Sequence, residues 1–310
     1  MNVTLFRSWK RQAVVASAAL LAATLSAPVP ASASATATSV ASYPTTINGD
    51  SADVYYPTTG TRLPVALFLQ GANVDKANYS EYAGTLASYG FVVAVPNHTR
   101  SLFGVSGLYP EGAQAGWTVD WAEAEDDNPA SPLYKRIDEN TLVLSGHSFG
   151  AATALSVSTG LCVIPFCSIA NTAPSELEAV VTYGGNNVLP GTELVLPVLN
   201  TVPVGYIQGL ADGVASPSEG ETTYNLTAGT PKAFISLTGA NHYGITDGQN
   251  PAGAAPDPSA QTLDQAVGVE TIARWSAQWL LAQTGDSAAK KYVYTTGDAA
   301  DPNVTVTYVK

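Results

Sequence analysis

The pentapeptide Gly146-His147-Ser148-Phe149-Gly150 has the residue types and the spacing to present a nucleophile. It follows an apolar run at 141–145, which predicts a short buried strand, and precedes the run 151–157, which predicts a helix. A Gly-x-Ser-x-Gly turn between a strand and a helix exposes the serine hydroxyl, and the glycines avoid clashes with the neighbouring elements. We therefore predict Ser148 as a nucleophile. The competing interpretation is a tight strand-to-helix turn around a buried serine.

A nucleophilic serine needs a general base, and the chain has three histidines. His147 lies inside the turn and cannot fold back onto Ser148. His98 precedes Ser148, whereas in this kind of site the acid and the base follow the nucleophile along the chain. His242 lies in a loop of small residues after the apolar run 233–237, so it is the predicted base.

The acid that orients the base is expected after another strand, between the nucleophile and the histidine. The run 204–209 predicts such a strand, and Asp212 follows it closely. Glu219 and Asp247 fit this order less well. Asp212 is therefore the predicted acid, and the alternative is a plain Asp-Gly turn.

Two backbone N–H groups are predicted to bind an oxyanion. One belongs to Phe149, directly after the nucleophile. The other belongs to Ala72, which follows the apolar run 65–69, and Gly71 lets the backbone turn inward there.

These motifs resemble those of serine esterases of the α/β-hydrolase superfamily, over nearly the whole length after the N-terminal segment. The pentapeptide resembles the nucleophile turn of chlorophyllases, cutinase-like polyester hydrolases and platelet-activating-factor acetylhydrolases. Residues 87–94 resemble the passage that follows their oxyanion loop, residues 131–138 their approach to the nucleophile strand, and residues 239–242 their histidine loop.

The resemblance implies Ser148, Asp212 and His242 as a catalytic triad, and the N–H groups of Ala72 and Phe149 as an oxyanion hole. Two positions depart from the relatives. Polyester hydrolases usually carry an aromatic residue at the position of Ala72 and a Trp or Met at that of Phe149. Plant chlorophyllases usually have Arg where this chain has Phe149.

Apolar runs alternate with helical stretches along the chain, which predicts βαβ units and a mostly parallel sheet. We expect an α/β protein with the α/β-hydrolase fold that the resemblance implies, with about eight strands flanked by helices, in a catalytic domain at 36–287. Helices are predicted at 80–89, from 113 onward and at 262–283, where the tryptophans should pack in the core. Residues 288–310 predict a C-terminal β-hairpin extension, which covers a sheet edge or makes a dimer contact.

Residues 1–35 have the organisation of a secretory signal peptide: basic residues, an apolar stretch at 13–25 and then small residues. Cleavage is expected near Ala33 or Ala35, and an uncleaved anchor is the alternative. Cleavage removes three of the 13 basic residues and none of the 25 acidic ones, so the net charge moves from −12 to −15. We expect a secreted or periplasmic protein with no stable membrane span and, because it is acidic, no nucleic-acid partner.

The two cysteines, Cys162 and Cys167, are predicted to form a disulfide in an exported protein. Without a histidine cluster they do not make a zinc site. The acidic run at 120–127 is interpreted as a solvated helix face rather than a calcium site. No metal or organic cofactor is expected, and the oligomeric state is left open.

The residues together predict an exported serine carboxylic-ester hydrolase that works through an acyl-enzyme. The resemblance implies a hydrophobic small-molecule or polymeric ester as the substrate. The resemblance favours a chlorophyllase-like enzyme that cuts the phytyl ester of chlorophyll, with a polyester or lipid acyl hydrolase as the alternative. Two alternative functions of other classes stay open: an acyltransferase with the same triad, and a binding protein that has this fold but no catalytic activity.

Overall fold

Six parallel strands form the centre of the sheet that carries the predicted site residues. The computed structural model describes residues 38–168, 173–189 and 191–310. Within them the strands are β1 (Val40–Ile47), β2 (Asp50–Pro57), β3 (Leu63–Leu69), β4 (Val92–Asn97), β5 (Thr99–Leu102), β6 (Val105–Leu108), β7 (Ile137–His147), β8 (Leu177–Tyr183), β9 (Val204–Gly209), β10 (Lys232–Leu237) and β11 (Val304–Val309). The main sheet has the order β1-β2-β4-β3-β7-β8-β9-β10-β11, and β5 pairs with β6 alone.

The sheet is parallel from β4 to β10 and antiparallel at both edges. β1 and β2 form one antiparallel edge, and β11 forms the other beside β10. The strands between them pair in parallel. The predicted mostly parallel sheet is thereby confirmed, and the carboxyl ends of its six parallel strands share one edge.

Helices cover both faces of the sheet, because alternate residues of the central strands are apolar on opposite sides. The helices are α1 (Ser80–Ser88), α2 (Gln114–Asp127), α3 (Phe149–Ser158), α4 (Pro217–Asn225), α5 (Gln265–Gln283), α6 (Ser287–Lys291) and α7 (Gly297–Ala300), with a 3-10 turn at Lys76–Tyr79 and a π-helical turn at Tyr292–Thr296. Ala66 and Phe68 of β3 join the core beside α1 and α5. Val65 and Leu67 join the core beside α2 and α3.

The long helix α5 confirms the helix predicted at 262–283, although it begins three residues later than predicted, and it is buried on all sides over residues 271–280. Asp264 starts it, because its side chain accepts the N–H groups of Ala266 and Val267. Trp275 and Trp279 are fully buried, as expected of core residues. The indole N–H of Trp279 donates to the backbone of β8.

The predicted C-terminal β-hairpin is wrong in its first half. Tyr292–Thr296 continues a helical path from α6, and only β11 is a strand, antiparallel to β10. The residue types at 292–296 favour strands, but packing overrides that preference. The ring of Tyr292 lies 4.9 Å from that of Trp275, and its hydroxyl accepts a hydrogen bond from Arg274.

The predicted signal peptide lies outside the described residues. Among the residues that the structure does describe, no helix is both long and apolar enough to cross a membrane.

Candidate active site

Ser148 occupies a sharp turn between β7 and α3. Its backbone has φ 55° and ψ −118°, a conformation that is strained for a residue with a side chain. A Cβ atom on Gly146 would lie 2.4 Å from the carbonyl oxygen of Gly150, and one on Gly150 would lie 2.0 Å from that of Leu69. Both positions therefore require glycine, and the serine between them stays partly accessible.

The structure brings Ser148, His242 and Asp212 together. His242 Nδ1 lies 2.9 Å from Asp212 Oδ2, and His242 Nε2 lies 2.8 Å from Ser148 Oγ. The side chains of His242 and Asp212 are almost fully buried. Because a carboxylate only accepts, Nδ1 carries the proton, and Nε2 is free to accept the serine hydroxyl.

Asp212 is held by more than the histidine. Its Oδ1 accepts the N–H groups of Val214 (2.9 Å) and Ala215 (2.7 Å). Its Oδ2 also accepts from the side-chain amide of Gln208 at 3.3 Å. The Asp-Gly turn interpretation was thus half right: the side chain caps its own turn with one oxygen and faces His242 with the other.

The two predicted oxyanion donors have no acceptor in the described part of the chain, whereas their neighbours do. The N–H of Gly71 donates to Tyr79 Oη, and that of Asn73 donates to the carbonyl of Leu108. The Ala72 N–H between them is unpaired, and so is that of Phe149 at the first position of α3. Two free N–H groups beside a serine can stabilise an oxyanion.

The alternatives considered for the acid have other contacts. Glu219 accepts from the side-chain amide of Asn186. Asp247 accepts the backbone N–H groups of Ser80 and Glu81 and so caps the start of α1.

Sequence reasoning missed three residues of this site. Gly184 follows β8 at φ +56°, and a Cβ there would lie 2.9 Å from Asp212 Oδ2 and 3.1 Å from His242 Nδ1. Its signal was available, since a glycine pair directly follows the apolar run 177–183. Buried Asp257 accepts the N–H of His242, and buried Tyr79 lies against His147. Nothing in the sequence around these two marks them.

Aromatic rings line one side of the site. The ring of Phe149 lies 5.7 Å from that of Tyr109 and 5.0 Å from that of Phe166. The disulfide between Cys162 and Cys167 is formed, as predicted, and closes the loop that carries Phe166.

A buried charge cluster supports this wall. Arg100 donates to the carbonyls of Tyr109 and Pro165. His98 Nδ1 lies 2.8 Å from Asp50, and its Nε2 lies 3.3 Å from Glu111. Burial disfavours a charged His98, but its hydrogen bond to Asp50 and its close contact with the Glu111 carboxylate outweigh burial and raise its pKa to about 9. The bond to His98, against the effect of burial, lowers the pKa of Glu111 to about 2.

Three acidic side chains, Asp126, Asp127 and Glu139, are close enough in the described chain to share a cation. Two of them come from the acidic run on α2. Lys135 forms ion pairs with both Asp126 and Asp127, so a protein cation already neutralises part of the charge of this group.

Comparison with known proteins shows similarity to chlorophyllases. The Chlorophyllase family model matches residues 32–176. Chlorophyllase-1 of Arabidopsis thaliana is 29% identical over 109 residues, which cover 34% of this chain and 31% of that protein. The chain has the α/β-hydrolase fold and resembles chlorophyllases. The family match supports a hydrolase of the chlorophyllase type.

The match to the Chlorophyllase family covers only part of the site. It includes Ala72, Ser148 and Phe149 and ends before Asp212 and His242. The chain spans about a third of the length of the curated relative that it matches. The assignment of Asp212 as the acid and His242 as the base therefore rests on the geometry of the site and not on the family match.

Proposed function

We propose that the chain is an exported serine carboxylic-ester hydrolase that acts on a hydrophobic ester, with chlorophyll as the leading substrate. The observation that carries this proposal is the unbroken hydrogen-bond chain from Ser148 through His242 to Asp212, together with the unpaired N–H groups of Phe149, next to Ser148, and of Ala72, directly after the end of the neighbouring strand β3. The match to chlorophyllases supports the leading substrate. The aromatic wall at Phe149 supports a hydrophobic ester.

The reaction follows from the positions of the protons. Ser148 Oγ attacks the ester carbonyl carbon while its proton passes to His242 Nε2, and Asp212 stabilises the imidazolium. The carbonyl oxygen becomes an oxyanion that accepts from the N–H groups of Ala72 and Phe149. The C–O bond to the alcohol breaks as His242 returns the proton to it. Water then attacks the acyl-enzyme by the same route and releases the acid and free Ser148.

The test is labelling by a fluorophosphonate probe, with hydrolysis of short- and long-chain p-nitrophenyl esters and of chlorophyll. Ser148→Ala should abolish labelling and lower kcat by at least about 10³-fold. The matched control is Ser145→Ala, because Ser145 is a buried serine on β7, three residues before Ser148, and it bonds Tyr82 instead of the histidine. It should keep both labelling and turnover.

The outcomes distinguish an esterase from the two alternative functions, an acyltransferase and a binding protein. A folded wild-type protein that takes no label would contradict an activated serine and favour a binding protein. Labelling with turnover of p-nitrophenyl esters but not of chlorophyll would overturn the leading substrate and keep the esterase. An ester product that forms only when an alcohol acceptor is added would identify an acyltransferase.

A further inference from the structure

A buried tyrosine and a buried histidine connect the loop of the oxyanion donor to that of the base. The N–H of Gly71 donates to Tyr79 Oη at 2.9 Å, and Tyr79 Oη lies 2.9 Å from His147 Nδ1. His147 Nε2 lies 2.9 Å from the carbonyl oxygen of His242. Tyr79 and His147 are both 0% exposed. A Cβ on Gly71 would lie 2.8 Å from His147 Nδ1, so this close approach requires the glycine.

The protons of this hydrogen-bond chain can be assigned from its ends. The carbonyl of His242 only accepts, so His147 Nε2 carries a proton. Burial, together with the nearby His242, lowers the pKa of His147 well below its usual value, so the ring is neutral and its Nδ1 accepts. Burial raises the pKa of Tyr79 well above its usual range, so its hydroxyl keeps the proton that it donates to His147.

We propose that Tyr79 and His147 are positioning residues that tie the backbone of Gly71 to the backbone of His242. They thereby keep a constant distance between the adjacent Ala72 N–H and the His242 imidazole. Tyr79 and His147 make no hydrogen bond to the Ser148 hydroxyl or to the His242 imidazole, although the His147 ring lies 4.7 Å from the His242 ring. This inference rests on the proposed ester hydrolysis, in which the oxyanion donor and the base must act on the same carbonyl group.

The arrangement explains why a histidine occupies the middle of the nucleophile turn. The two loops follow different strands, β3 and β10, which are not neighbours in the sheet. An apolar side chain at 147 could fill the space but could not bond both loops. A neutral imidazole accepts on one side and donates on the other, so it can bridge them.

The experiment compares Tyr79→Phe with Tyr82→Phe. The two tyrosines are equally buried, and their rings lie 4.4 Å and 5.0 Å from that of Phe68. The Tyr82 hydroxyl bonds Ser145 Oγ and does not reach either loop. Each variant loses one buried hydroxyl, so both should melt at a lower temperature than the wild type. Only Tyr79→Phe breaks the proposed connection.

Imidazole ¹⁵N NMR reads the connection directly, because the chain has only three histidines. In the wild type, His147 should stay neutral with its proton on Nε2. Tyr79→Phe should shift the signals of both His147 and His242, and Tyr82→Phe should leave them in place. Unchanged His242 signals in Tyr79→Phe would overturn the proposal, whether or not the protein hydrolyses esters. Absence of fluorophosphonate labelling in the wild type would instead contradict the proposed function.

Kinetics give the second measurement. Tyr79→Phe should lower kcat about tenfold or more, because loss of the hydroxyl leaves the Gly71 N–H and His147 Nδ1 unpaired. It should change KM by less than about twofold. Tyr82→Phe should keep kcat within about twofold. Equal losses of kcat in the two variants would show that general destabilisation, not positioning, explains the effect.

If Tyr79→Phe does not fold, His147→Gln and His147→Leu replace it. The glutamine amide can reach the position of Nε2 and donate to the His242 carbonyl, whereas leucine of similar size cannot. We expect His147→Gln to retain more kcat than His147→Leu. Equal activity of the two would contradict a hydrogen-bonding role for His147.

Discussion

Replacing Asp257 by asparagine should impair catalysis without touching any reacting group. Asp257 is 8% exposed, and its carboxylate accepts four contacts from three backbone N–H groups. Its Oδ2 accepts from His242 at 2.8 Å and from Gly213 at 3.3 Å. Its Oδ1 accepts from Ser259 at 2.7 Å and from Gly213 at 3.2 Å. Asp257 therefore joins the loop of the base to the loop of Asp212.

The magnitude follows from the number of acceptors. An asparagine side chain has one oxygen and one NH₂ group, so it can accept from His242 or from Ser259 but not from both. Either orientation leaves a buried N–H facing another donor, at a cost of about 1–3 kcal/mol. If half or more of that cost falls on the position of His242, kcat should drop between about 2-fold and about 160-fold. KM should change little, because the expected effect of Asp257 is on the position of the general base His242.

The assay is steady-state hydrolysis of a p-nitrophenyl ester beside a thermal melt, with Asp126→Asn as the matched control. Asp126 is equally buried at 6% exposure and accepts the backbone N–H of Ile137 at the start of β7. Both variants should lose stability, but only Asp257→Asn should lose kcat. A normal kcat in folded Asp257→Asn would refute the idea that this carboxylate positions His242.

Two further predictions concern Gly184, which lies against the Asp212–His242 hydrogen bond, and His98 in the buried charge cluster. Gly184→Ala should lower kcat severely, since the new methyl group would sit within 3.1 Å of the Asp212–His242 hydrogen bond, and φ +56° adds about 1–2 kcal/mol of strain. A folded Gly184→Ala protein with wild-type kcat would show that this hydrogen bond tolerates the crowding. The second prediction concerns His98, whose folded-state pKa of about 9 exceeds the unfolded value of 6.5. Its contribution to stability is thus complete below about pH 6.5 and lost as the pH rises through 9. Melting temperature should fall over that interval in the wild type and less in His98→Gln, and superimposable melting curves would contradict it.

The strand pattern was enough to predict where the site residues would meet. Each predicted residue was placed after an apolar run, and parallel strands bring their carboxyl ends to one edge. Ala72 follows β3, Ser148 follows β7, Asp212 follows β9 and His242 follows β10. That rule needs no knowledge of loop conformation, because it uses only the order and direction of the strands.

The same reasoning failed where packing decides the structure. Tyr292–Thr296 has the residue types of a strand but is helical, because Tyr292 packs on Trp275 and bonds Arg274. Asp257 lies in a long loop between β10 and α5 that has no periodicity to read. Its role depends on a backbone path that brings it to His242, 15 residues away, and only the folded chain shows that path.

His242 shows why such residues are needed. It lies in a loop, so the strand ladder supplies no partner for its backbone, and a buried N–H or carbonyl without a partner is costly. Asp257 accepts a hydrogen bond from its backbone N–H, His147 Nε2 donates to its backbone carbonyl, and Asp212 accepts from its ring Nδ1. These partners come from three different segments, so the imidazole is fixed in position and in orientation. The identity of the side chains that hold His242 in place therefore depends on the path of its loop, not on the strands. A protein with the same strands could hold its base with other residues.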